Sequence, residues 1–154
     1  MNRNRLLVLV GIAGVTVATV SWPTDANRDV RTEMRANSND SGLVALGARI
    51  YNQNCAACHG AKLEGQANWR VRQPNGRLPA PPHDADGHTW HHDDETLFSL
   101  TKFGPAALVG TEYESNMPAY KDILTDGEIW AVLAYIKSKW PAELRVRHVF
   151  SPGD

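Results

Sequence analysis

Cysteine is scarce in this chain: 154 residues hold only Cys55 and Cys58. With no second cysteine pair, the usual four-thiolate zinc site is excluded. Methionine is also rare, with three residues, Met1, Met34 and Met117. Net charge is nearly absent. Sixteen basic residues oppose seventeen acidic ones for a formal −1, and the signs are mixed along the chain. Such a balance gives no footing for nucleic acid and names no partner. No strand–helix–strand pattern and no internal repeat is visible, so a second copy of any site is not expected. The apolar run at residues 6–20 falls short of the roughly 18 residues of a spanning helix. The length permits one domain.

Both cysteines fall in Cys55-Ala56-Ala57-Cys58-His59. C-x-x-C-H is the attachment signature of a c-type haem, in which two thiols form thioether links and the adjacent imidazole ligates iron. Residues three and four apart share a helix face, so a helical turn here aims Cys55, Cys58 and His59 at one flat group. Two alternatives remain at this point. Zinc would need further ligands, and His83, His88, His91 and His92 begin farther from His59 than the usual spacing of roughly 12–15 residues. A redox dithiol would sit more naturally in a strand–helix–strand setting.

A low-spin electron carrier needs a second strong iron ligand, and a Met/His pair raises the reduction potential. Met1 is the initiator and Met34 lies in a polar stretch ahead of the motif. Met117 lies downstream in Ser115-Asn116-Met117-Pro118-Ala119-Tyr120. Pro118 pushes the residue before it out of helical geometry, which suits a loop ligand. The competing readings are a gap-filling core methionine and bis-histidine ligation.

The chain resembles a class I bacterial monohaem cytochrome c over residues 42–141. The resemblance rests on Gly47 and Tyr51 leading into Cys55-Ala56-Ala57-Cys58-His59-Gly60, on Met117-Pro118-Ala119-Tyr120, and on Val132 and Tyr135 in the last long helix. It implies an all-α cytochrome c fold, a small helical domain with long loops around one covalently attached haem c. It implies Cys55 and Cys58 as attachment residues and His59 and Met117 as axial ligands. It also implies a single-electron carrier without catalysis of its own, meeting donor and acceptor proteins at an exposed haem edge. The middle region departs from shorter members, because Pro79-Ala80-Pro81-Pro82 and a histidine-rich segment intervene. A carbonyl among residues 79–82 is the expected partner of the His59 ring, since metal-bound histidines donate their other N–H.

Residues 1–22 combine early arginines with the apolar run and Trp22. They are expected to be a membrane anchor, with a cleaved export signal as the alternative. Both place the domain outside the cytoplasm, in the periplasm, tethered to the inner membrane in the first case. No cysteine follows the apolar run, which excludes a lipoprotein. Residues 23–41 read as a polar linker, and 142–154 as a tail of ambiguous structure.

Within the domain, Asp40 or Ser41 caps a helix over about residues 43–52. Gly60 ends the turn of the Cys55–His59 motif, and residues 61–92 read as a long loop. A helix starts at Asp93–Asp94 and ends near Gly104, with Pro105 barring its return. Thr125-Asp126-Gly127-Glu128 is a capping box for a helix that Pro141 breaks. Imidazoles and carboxylates between His83 and Asp94 suggest copper or zinc as a secondary function. The plainer reading is a polar loop on the haem edge. Trp69, Trp90, Tyr113 and Tyr120 are candidates for the pocket wall, and Arg70 or Arg77 for a propionate partner. Two other function classes compete with the carrier: a gas- or peroxide-binding haem protein, and a metal-handling protein using the histidine cluster.

Overall fold

The computed structural model describes residues 36–110 and 112–150. The expected anchor or signal and most of the linker lie outside the described residues. Among the described residues, six α-helices and one 3-10 turn make up the regular structure and no strand occurs. This is the all-α architecture that the sequence leads one to expect. No helix of the described residues is long and apolar enough to cross a membrane.

Helix α1 (Ser41–Asn54) begins where the Asp40 carboxylate accepts the Leu43 N–H at 3.0 Å. It buries Gly47, Ile50 and Tyr51, one turn apart on a single face. The short α2 (Ala56–His59) follows directly and stops at Gly60, whose φ of 82° favours glycine. Then comes a long loop, followed by a 3-10 turn (Thr89–His91) and α3 (Asp94–Phe103). The Asp93 carboxylate caps α3 by accepting the Thr96 N–H at 2.7 Å. Beyond Gly104 the structure departs from expectation. Pro105 opens a further helix, α4 (Pro105–Val109), where its fixed φ and missing N–H are suited to the first position.

The capping box of α5 (Asp126–Ser138) forms in full. Thr125 and Glu128 exchange side-chain and backbone hydrogen bonds at 2.8 and 3.3 Å. Every residue from 129 to 137 in α5 is buried, so this helix is the centre of the core. It packs on α1 at Gly47. A Cβ at that position would lie 1.8 Å from the Ala131 carbonyl oxygen and 2.9 Å from Tyr135 Cβ. The Tyr51 and Tyr135 rings meet one turn on, with centroids 5.3 Å apart.

The stretch after Pro141 is helical. Helix α6 (Ala142–Phe150) turns back onto the domain instead of trailing from it. His148 is buried, and its Nε2–H donates to the His92 carbonyl at 2.7 Å. The same nitrogen lies 3.6 Å from Asp94 Oδ1, and Asp94 accepts the Lys137 ammonium at 2.7 and 2.8 Å. At the other end of the described residues, Ala36 also belongs to the core.

Candidate cofactor site

His59 is the best-defined side chain of the C-x-x-C-H segment. It is buried, and its Nδ1 lies 2.8 Å from the Pro81 carbonyl oxygen. The carbonyl can only accept, so Nδ1 carries the proton and Nε2 presents a lone pair. No hydrogen bond engages Nε2 among the described residues. Burial lowers the pKa of this imidazole, against the opposing effect of the Pro81 carbonyl, and so favours the neutral ring. A neutral ring with a fixed tautomer and one free nitrogen is what iron ligation requires.

The Pro81 carbonyl is held in place by the loop around it. Gln66 N–H donates to Ala80 O at 2.9 Å, and His83 N–H donates to Leu63 O at 2.8 Å. Two glycines let the proline segment lie this close. A Cβ on Gly65, which has φ +67°, would meet Pro82 N at 2.4 Å and Pro81 C at 2.6 Å. A Cβ on Gly87 would lie 2.1 Å from Pro82 O.

The two cysteines are not joined to each other; Cys55 is part-buried and Cys58 exposed. Burial, and next the neighbouring Cys58, push the Cys55 thiol up to about 11. A reactive dithiol needs a depressed pKa, so the redox-dithiol alternative loses its footing.

The methionine loop comes to the same place. Tyr120 donates its hydroxyl to the Asn54 carbonyl at 2.7 Å, one residue ahead of Cys55. Burial, then Cys55 and Cys58, push the Tyr120 phenol up to about 12. Met117 is part-buried against the core, and its N–H donates to Ser115 Oγ at 3.0 Å. The loop is fixed beyond the methionine by Tyr120 N–H to Thr101 O at 3.2 Å and Lys121 N–H to Lys102 O at 2.9 Å.

Other candidates take different places. Arg77 bonds Asn116 Oδ1 at 2.7 Å and pairs with Glu114 at 3.4 Å, next to the methionine loop. Arg70 lies over the Trp69 ring at 3.9 Å. The histidine cluster does not converge. His83 stacks on His59, His88 on Trp69, and His91 on Trp90. Among the described residues no group of three His, Cys, Asp or Glu side chains is arranged to hold a metal ion. The geometry therefore does not favour the zinc reading of C-x-x-C or the metal-handling role of the His83–His92 segment.

Comparison with known proteins agrees with this geometry. The sequence model of the family described as cytochrome c matches residues 44–140. The chain belongs to the cytochrome c family. Haem c, covalently attached, is the family's cofactor, and electron transfer is its work. The cytochrome is 30% identical over 111 residues to cytochrome c550 of Pseudomonas aeruginosa, covering 72% of this chain and 66% of that protein. It is 29% identical over 112 residues to the cbb3-type cytochrome c oxidase subunit CcoP of an Azospirillum species, covering 73% of this chain and 34% of that subunit. CcoP of Azospirillum brasilense is 26% identical over 103 residues, covering 67% of this chain and 30% of that subunit. The cytochrome thus spans about a third of the length of the CcoP subunits it matches. No solved structure matches it.

Proposed function

We propose that this cytochrome is a class I, monohaem, His/Met-ligated electron carrier of a periplasmic or membrane-associated respiratory chain. Cys55 and Cys58 would hold the haem through thioethers, and His59 Nε2 and Met117 Sδ would ligate its iron. The observation that carries the reading is the His59 ring, tied through Nδ1 to the Pro81 carbonyl with Nε2 left for iron.

Haem iron supplies the one-electron couple, with a potential that burial and a methionine ligand raise. The chain's own residues would keep the ligand set the same in the ferric and ferrous states. Pro81 fixes the rotation of the His59 ring. The Tyr120–Asn54 bond keeps the methionine loop against the C-x-x-C-H helix. A partner would exchange electrons with the haem at an exposed edge of the group. Small redox interfaces of this kind are transient. No catalytic step falls to the chain itself. The names of the CcoP relatives suggest an oxidase complex as one partner class, and the N-terminal segment would tether the domain near a membrane.

An optical spectrum of the haem-loaded protein tests the reading, with Met117→Ala beside the wild type. The expected result is a low-spin spectrum with the weak far-red methionine–iron band, lost in the variant. A high-spin or CO-reactive wild type would overturn it in favour of a ligand-binding haem protein.

A further inference from the structure

The segment that anchors His59 in its plane also covers its face. His83 lies two residues beyond Pro81, and its ring stacks on the His59 ring with centroids 4.1 Å apart and planes at 21°. Three bonds hold His83 in that position. Its backbone N–H donates to Leu63 O at 2.8 Å, and its carbonyl accepts the Trp140 indole N–H at 2.8 Å. Its Nδ1 lies 2.8 Å from Thr89 Oγ1. Thr89 Oγ1 lies in turn 3.5 Å from Pro82 O. The edge of the Tyr51 ring, 6.5 Å away, limits sliding on another side.

One hydrogen bond at Nδ1 restrains a ligand ring in its plane but leaves it a soft tilt and twist. A parallel ring against its face removes much of that freedom, because aromatic rings at this separation are in direct contact. Partners outside the ligand shell set ligand orientation and tune the metal. We propose that His83 is a positioning residue: its ring, locked by Thr89 and Trp140, fixes the plane of the His59 imidazole relative to the haem. The inference rests on His59 being an iron ligand, as proposed above. It does not depend on Met117.

The test uses haem-loaded protein with His83→Phe, which keeps a ring, and His83→Gln, which keeps a donor for Thr89. Ferric EPR g-values and the hyperfine-shifted haem methyl resonances report the ligand plane, and the midpoint potential is read beside them. The expected result is wild-type-like signals for His83→Phe and a changed g-anisotropy and methyl-shift pattern for His83→Gln, with a shifted potential. Thr89→Val leaves the ring but unlocks it, and is expected to change the signals in the same direction by less. It also stands in if His83→Gln does not mature. Unchanged signals in His83→Gln, or in Thr89→Val where it replaces that variant, would overturn the proposal. A change in His83→Phe as large as in His83→Gln would do the same. A wild type lacking the far-red band would remove Met117 from the iron, and the His59 comparison would still be read from the same resonances.

Discussion

At position 47 the missing side chain sets how closely two helices approach. A methyl group there would meet the Ala131 carbonyl, which belongs to the backbone of α5 and cannot swing aside. Gly47→Ala gains up to about 1 kcal/mol of helix propensity. It is nevertheless expected to lower the denaturant midpoint, since overpacking costs about 1–3 kcal/mol. A raised midpoint would mean that α1 and α5 are not in contact here. Tyr120 illustrates the other kind of single-residue dependence. Its hydroxyl joins the methionine loop to the last turn of α1. Tyr120→Phe is expected to cost about 0.5–1.5 kcal/mol. If Met117 is the ligand, the far-red band of the loaded variant should then yield to roughly two- to tenfold less imidazole, the same free energy expressed as a ratio. An unchanged imidazole titration would separate this bond from the ligand loop.

Among the helices, α5 depends on its cap and α6 on one histidine. Thr125→Ala removes both halves of the reciprocal bond with Glu128, and a loss of about 0.5–2 kcal/mol is expected by chemical denaturation. His148 makes α6 docking pH-dependent. Its pKa lies below the ordinary 6.5, first because of burial and next because of the Lys137 ammonium, which together outweigh Asp94, the His92 carbonyl and Asp93. Its Nδ1 is buried with no hydrogen-bond partner, so a proton there would be stranded. As pH falls below 6.5 the unfolded chain takes up the proton before the folded one, and stability declines until the folded pKa is passed. The contribution is complete above pH 6.5. Unfolding of the wild type and His148→Phe at pH 7.5 and about pH 5.5 isolates this effect. The wild type should lose more stability than the variant; equal losses would reject His148 as the cause.

For the whole molecule, the group that the C-x-x-C-H segment holds is expected to complete the core. Anything bound only by the folded state stabilises it. The double variant Cys55→Ala/Cys58→Ala, matured in parallel with the wild type, should therefore lose covalent haem and melt at a lower temperature. An unchanged melting temperature would show that the helices close without it. How far the sequence alone reaches depends on distance along the chain. The Asp40 cap, the Thr125–Glu128 box and the stops at Gly60 and Gly104 are each specified within about one helical turn, and all are legible. The sequence narrows the His59 partner to the carbonyls of residues 79–82 but does not choose Pro81. It singles out the histidine cluster but suggests a metal, where the structure pairs His83, His88 and His91 with other rings. It leaves the stretch after Pro141 ambiguous, although His148 there is buried against His92, Asp94 and Trp140. The pairings of His59 with Pro81 and of His148 with His92 span 22 and 56 positions, and no local propensity encodes them. They are decided when the loop folds back over α2 and α6 over α3, because only then do burial and hydrogen bonding select one partner from several of the same chemistry.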